Sequence, residues 1–338
     1  MKKKKIHRLI PFFCGIFFLA SINLNLRAQV FQSDNTNEKD TILLRTYKLL
    51  PILNNFRFIP SDVIDNPFIT TYVKTSVGAG AAVDLKSYVK DLQGNVLDTL
   101  SGDLSFVSMN LKFQLAITDW LAINASYGGS GRLGNNAYTI LTSGISYATG
   151  YVLGAKIKIW KNEQMMLSGS VDYNSSKIFL YSIYDFVKDV VESGGIDSSS
   201  RDNLLEKDDV SSTFLSFNYA YAPTDWCGIL AVAGWGVGQT FKNKDKGNAR
   251  FGLAASIDFD NIKYVGFPIG LLVGVKYNSF SESGENTTNI LTYSFRIGYT
   301  GHKDFDIGLE NTYKSLNYRL SEDKINTILT AIKVRYYF

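Results

Sequence analysis

Residues 106–117 have the sequence FVSMNLKFQLAI, in which apolar and polar side chains alternate. The apolar set is Val107, Met109, Leu111, Phe113, Leu115 and Ile117, and the set between them is Ser108, Asn110, Lys112, Gln114 and Ala116. Because successive side chains of a β-strand point to opposite sides, this stretch predicts a strand with one apolar and one polar face.

The same alternation recurs along the chain and predicts twelve strands. They are expected at 70–90, 103–117, 120–132, 146–160, 164–180, 210–222, 226–241, 249–260, 267–280, 288–300, 303–318 and 325–338. Most exceed the roughly five or six residues common in soluble sheets and reach the roughly 9–11 residues of a tilted membrane strand. An even strand number is also typical of bacterial membrane barrels.

The connections between these strands alternate in length, as in a membrane barrel. Short ones fall near 118–120, 161–163, 223–225, 261–266 and 301–303, and longer ones near 91–102, 133–145, 181–209, 242–248, 281–288 and 319–324. Aromatic side chains flank the short turns and predict a belt at one membrane interface: Trp120, Trp160, Trp226, Tyr264 and Phe305. A soluble β-sandwich also alternates, but these features favour an all-β, transmembrane, antiparallel up-and-down β-barrel.

The first 29 residues predict a signal peptide that is removed on export. Four lysines and Arg8 precede an apolar stretch, Leu9–Leu24, and Ala28 offers a small residue at a cleavage point. Without these residues, which hold six basic and no acidic side chains, 29 basic side chains stand against 31 acidic ones. The net positive charge of the whole chain therefore comes from the predicted signal peptide, and it gives no reason to expect a nucleic-acid partner.

The scarcity of cysteine and histidine limits the chemistry that we expect. After residue 29 the chain retains only Cys227 and His302, so we expect no intramolecular disulfide, no metal site built on His or Cys, and no cofactor. Barrel-bound hydrolases rely on a histidine to activate a nucleophile or water, and His302 falls at a short turn. We therefore expect that the protein is not an enzyme.

Two segments outside the predicted strands can each be placed in two ways. Residues 30–67 contain Pro51, Pro60 and an apolar group of Phe56, Phe58 and Ile59, and they either lie in the periplasm or fold into the barrel as a plug. The longest connection, 181–209, either folds inward as a constriction or caps the barrel from outside.

The last strand ends on alternating apolar residues that include Val334, Tyr336 and the final Phe338. In this it resembles the bacterial outer-membrane β-barrel superfamily, whose terminal aromatic residue is an assembly signal. The resemblance covers residues 68–338 and implies the cell outer membrane as location, with the lipid bilayer and the barrel-assembly machinery as partners. The segment before strand one also resembles that of fatty-acid-transporter-type barrels. Those have fourteen strands, which we keep as the alternative to twelve.

The alternation of side chains along each strand predicts which charged residues face the lumen, and cations outnumber carboxylates among them. These lumen charges are Lys74, Lys86, Lys112, Lys156, Lys158, Arg250, Lys276, Arg296, Lys333 and Arg335, against Asp84, Asp172, Asp258, Asp306 and Glu310. They either favour anions in a water-filled pore or pair with one another in a closed interior. We predict a passive channel or transporter for small solutes with a net cationic lumen. The alternative is a closed structural or interaction barrel whose external loops bind partners, and the solute and oligomeric state stay open.

Overall fold

The computed structural model describes residues 49–90, 96–134, 145–181, 205–240, 243–281, 287–318 and 324–338. All of these residues belong to one structural unit, Arg45–Phe338. The predicted signal peptide, residues 30–48 and most of the connection at 181–209 lie outside the described residues. Within the described ranges, no helix is long and apolar enough to cross a membrane.

The described residues form a closed antiparallel barrel of twelve strands, preceded by a two-stranded hairpin. The hairpin consists of β1 (Ile52–Leu53) and β2 (Phe56–Arg57). The barrel strands are β3 (Tyr72–Lys90), β4 (Val96–Ala116), β5 (Leu121–Gly134), β6 (Ile145–Lys161), β7 (Met165–Tyr181), β8 (Leu205–Tyr221), β9 (Cys227–Thr240), β10 (Asn243–Asp258), β11 (Ile269–Ser281), β12 (Thr287–Tyr299), β13 (Phe305–Tyr318) and β14 (Lys324–Tyr337). Each strand pairs with the next, and β14 closes the barrel on β3. The predicted strand number of twelve is confirmed, and the alternative of fourteen is not found.

The apolar face of each strand lies on the outside of the barrel. In β4, Val107 is 62% exposed on the outer face, whereas Gln114 on the inner face is 1% exposed. A soluble sandwich buries its apolar faces between two sheets, so this inverted distribution excludes that alternative. The outer surface is suited to lipid chains and the inner wall to polar groups.

The two ends of the barrel differ. Short turns join β4 to β5, β6 to β7, β8 to β9, β10 to β11 and β12 to β13 at the short-turn end, as predicted. Toward the opposite end, three strands begin at least five residues earlier than predicted: β4 at Val96 rather than 103, β8 at Leu205 rather than 210, and β10 at Asn243 rather than 249. Apolar and polar side chains do not alternate regularly in these added residues, which are VLDTLSG in β4, LEKDD in β8 and NKDKGN in β10, so the hydrophobic pattern does not reveal them.

Residues 49–71, which we call the plug, run inside the barrel before β3 begins at Tyr72. Their apolar side chains share one buried cluster with inward-facing residues of the wall, among them Leu230, Val232 and Leu272. Phe56 and Ile64 are completely buried. The described part of 30–67 therefore lies inside the barrel.

Candidate functional site in the barrel lumen

The inner wall carries most of the predicted lumen charges. In the described part, nine of the cations and four of the carboxylates lie on inward-facing strand positions: Lys74, Lys112, Lys156, Lys158, Arg250, Lys276, Arg296, Lys333 and Arg335, with Asp172, Asp258, Asp306 and Glu310. The side chains of Asp84 and Lys86 lie outside the described residues. The described wall therefore has more positive than negative groups facing the lumen.

The base of the plug is apolar and fits small wall residues. The rings of Phe56, Phe58 and Phe68 form a row, with centroids 4.9 Å and 5.1 Å apart. A Cβ atom at Gly228 would lie 2.2 Å from Phe56 Cε1, and one at Gly270 would lie 2.3 Å from Ile59 Cδ1. Since such distances are impossible for real atoms, glycine at these two positions makes room for the plug.

The β1–β2 hairpin is fixed to the short turns. The backbone N–H of Asn54 donates to Glu163 O at 2.7 Å, and its side-chain amide donates to Ala222 O at 3.2 Å. The guanidinium of Arg57 donates to three carbonyl oxygens in the β12–β13 region, those of Thr300, His302 and Phe305. These bonds tie the hairpin to three separate turns of the barrel rim.

Deeper in the lumen, the Asp62 carboxylate binds two lysines of the wall. One oxygen pairs with Lys74 Nζ, and the other lies 2.6 Å from Lys333 Nζ. Lys333 also pairs with Glu310, which accepts a hydrogen bond from Ser61 Oγ at 3.2 Å. Lys74 is almost fully buried, so removing Asp62 would leave its charge without this carboxylate partner on the plug.

Backbone carbonyls of the plug satisfy further wall cations. Arg296, which pairs with Asp306, donates through Nη1 to Pro60 O at 2.7 Å. Lys156 Nζ donates to Asn66 O. From β4, Gln114 Nε2 donates to Phe68 O at 3.0 Å and to Thr70 O at 2.9 Å. Cations and amides of the wall thus follow the plug backbone over about half its length.

Asp65 lies at the edge of a polar cavity between the plug and the wall. The cavity has a volume of about 130 Å³, and its lining includes Lys112, Lys156, Asp172 and Arg250. The Asp65 carboxylate is 3.5 Å from Lys112 Nζ. Burial raises the pKa of this carboxyl, but the neighbouring positive charges outweigh burial and hold the pKa well below its usual range. Asp65 is therefore the counterion that the plug places among the wall cations.

Comparison with known proteins identifies the fold. No protein-family model matches the chain, and no curated protein matches it in sequence. Among solved structures, an outer membrane channel from Pseudomonas putida F1 has a TM-score of 0.53 at 11% identity, covering 83% of this chain and 100% of that chain. The chain has the fold of a bacterial outer-membrane β-barrel.

Weaker likenesses exist to two other outer-membrane barrels. The translocator domain of autotransporter NalP from Neisseria meningitidis has a TM-score of 0.47 at 11% identity and covers 81% of this chain and 90% of that chain. The P. putida toluene transporter TodX has a TM-score of 0.40 at 10% identity and covers 82% of this chain and 93% of that chain.

The predicted interface aromatics all lie at the short-turn end of the barrel. Trp120, Trp160, Trp226 and Tyr264 are exposed, and Phe305 is partly exposed beside Tyr336 on the outer face. At the end of the chain, the N–H of Phe338 donates to Thr71 O at 3.1 Å, and its ring packs 4.9 Å from the Tyr336 ring. Val334 is partly buried on β14, and the assembly role of these three residues stays a prediction.

Sequence reasoning missed the residues through which the plug binds the barrel wall. Asp62 and Asp65 carry no periodic signal, because they lie in an irregular segment and their partners are distant in sequence. A signal was present in the wall instead: inward positions near the short-turn end of β9 and β11 are small or apolar rather than polar, as at Gly228, Leu230 and Leu272. An apolar inner face requires an apolar partner inside the barrel.

Proposed function

We propose that the protein is an outer-membrane channel for small solutes that is closed at its periplasmic end by the plug. The observation that carries this proposal is that the obstruction in the lumen is a separate segment, residues 49–71, held by side-chain ion pairs and carbonyl hydrogen bonds. A segment held in this way is released when its contacts break, while the hydrogen bonds between the wall strands stay intact. In this arrangement the signal peptide directs export, and the short-turn end of the barrel faces the periplasm.

The charge distribution favours a channel over a closed barrel whose wall charges pair only with one another. In a closed barrel the inner side chains fill the lumen and pair with one another. Here Lys74 and Lys112 find their carboxylate partners on the plug, at Asp62 and Asp65. Movement of the plug would therefore open a lumen lined by charged groups that water can solvate.

A reversible cross-link between plug and wall tests the proposal. A Cβ atom at Gly270 would lie 3.1 Å from Ile59 Cγ1, which is one bond from Ile59 Cβ. A cysteine pair at these positions therefore falls near the roughly 3.5–4.5 Å between Cβ atoms that a disulfide needs. We expect Ile59→Cys combined with Gly270→Cys, in a Cys227→Ser background, to conduct in a planar bilayer when reduced. Oxidation should abolish the current, and a reductant should restore it.

The single variants Ile59→Cys and Gly270→Cys, in the same background, are the controls, because neither forms the cross-link. Their currents should be unaffected by oxidant. Persistent silence of the unmodified protein and of the reduced double variant would overturn the channel and favour the closed interaction barrel. A current that the formed cross-link leaves unchanged would show that solutes pass without movement of the plug.

A further inference from the structure

The polar cavity beside Asp65 has the composition of a site for a small anion. Lys112, Lys156 and Arg250 line it together with Asp65 and Asp172, so its charged groups sum to one net positive charge. Most of the remaining lining is neutral and polar: Gln114, Asn124, Ser126, Ser170 and Asn174. A cavity of about 130 Å³ takes a molecule of about the size of benzene, which suits a compact ion rather than a sugar or an acyl chain.

The cations of the cavity are held in place but not saturated. Arg250 is fixed by Ser216 Oγ, which lies 3.0 Å from its Nε, and by the Phe214 ring, which lies 4.8 Å from its Cζ. Its ion pair with Asp172 is long, at 3.6 Å. Lys112 is paired with Asp65 at 3.5 Å, beyond the usual hydrogen-bond distance. A guanidinium and an ammonium therefore retain donors for an oxygen-rich ligand.

Lys276 adds a further positive charge near this region. It faces inward beside Thr292, and among the residues that the structure describes it makes no ion pair within 4.0 Å. Its charge contributes to the field at Asp65. Asp65 and Asp172 already have cationic partners. The positive groups in and near the cavity therefore outnumber its carboxylates, which favours a negatively charged ligand.

We propose that this cavity binds a small oxyanion, a carboxylate or a phosphate, which replaces Asp65 as the counterion of Lys112. Bound anion and docked plug then compete for the same cation, so the solute itself weakens one contact that keeps the lumen closed. By linkage, the docked plug lowers the affinity for the anion by the same factor by which the anion weakens docking. The inference rests on the proposed function, for which it names the class of solute.

Binding to the full protein in detergent, measured by isothermal titration calorimetry, tests the site without any need for current. The probes are inorganic phosphate and acetate, each titrated against the protein and its variants. Loss of a charge-assisted hydrogen bond costs roughly ten- to a hundredfold in affinity, and we expect this loss for Lys112→Gln and for Arg250→Gln. Asp65→Asn should instead bind about tenfold more tightly, since it removes the competing carboxylate.

Lys263→Gln is the matched control, because it removes one positive charge at the exposed β10–β11 turn, outside the cavity. Its affinity should equal that of the unmodified protein. Equal loss in Lys263→Gln and Lys112→Gln would show nonspecific attraction and overturn the site. Absence of saturable binding to Asp65→Asn would overturn it as well. Saturation by phosphate alone indicates a phosphorylated solute, and saturation by acetate indicates a carboxylate.

The two proposals fail separately. If the protein shows no current but its variants bind the probes with the affinities expected above, the anion site is supported and the channel is contradicted. If the plug cross-link controls a current but neither probe binds saturably, the channel is supported and the anion site is contradicted.

Discussion

Gly228 lies in β9 directly against two phenyl rings of the plug. A Cβ atom there would lie 2.2 Å from Phe56 and 2.8 Å from Phe58, so even alanine requires the rings to move. Overpacking of this kind costs about 1–3 kcal/mol. We expect Gly228→Ala to increase hydrogen–deuterium exchange of the Phe58 amide, which donates to Pro51 O, by about ten- to a hundredfold. Mass spectrometry of the plug peptide measures this exchange.

The matched control at the scale of single residues is Gly131→Ala in β5. At Gly131 the nearest atom to an added Cβ, Val107 Cγ2, is 3.9 Å away, which is an ordinary contact on the outer face. Exchange of the plug should be unchanged in this variant. If both variants exchange at the rate of the unmodified protein, close packing at Gly228 does not hold the plug.

The hairpin of β1 and β2 depends on an unusual turn. Asn54 and Asn55 both have positive φ angles, 46° and 59°, as in the tight turns that favour Asn and Gly. Valine in this conformation costs roughly 1–2 kcal/mol, so Asn55→Val should raise the open population of the hairpin roughly 5- to 30-fold. Maleimide labelling of Leu53→Cys in a Cys227→Ser background reports it, because Leu53 is buried. Asn55→Gly should label no faster, and faster labelling in both variants would contradict the role of the turn.

The elements also show what the sequence could predict. Alternation located all twelve strands and every short turn, because the contrast between lipid and lumen repeats at each pair of residues. It missed the first residues of β4, β8 and β10, where apolar and polar side chains do not alternate regularly. The plug followed no period at all. Its position depends on pairs such as Asp62 with Lys333, which only the closed barrel brings together.

At the scale of the whole molecule, the plug changes the charge that a solute meets. Of the lumen charges predicted from the sequence, the described wall presents nine cations and four carboxylates, and Lys314, opposite Thr292, faces inward as well. The docked plug adds Asp62 and Asp65, which pair with three of those cations, whereas an open lumen leaves these cations to the solution. An excess of fixed positive charge raises the local concentration of anions. The open state should therefore be more anion-selective than the charge of the docked molecule suggests.

Reversal potentials in a KCl gradient measure this selectivity. We expect a preference for chloride of roughly several-fold, declining at about 1 M salt, where the screening length falls to about 3 Å. Lys276→Glu should reduce the preference more than Lys276→Gln, since it reverses the charge rather than removing it, and Lys276 has no ion partner within 4.0 Å in the described part of the chain. Lys263→Glu, at the exposed β10–β11 turn, should leave the reversal potential unchanged. A preference for potassium in the unmodified protein would show that the wall cations do not govern what passes, since their field acts on every ion in the lumen.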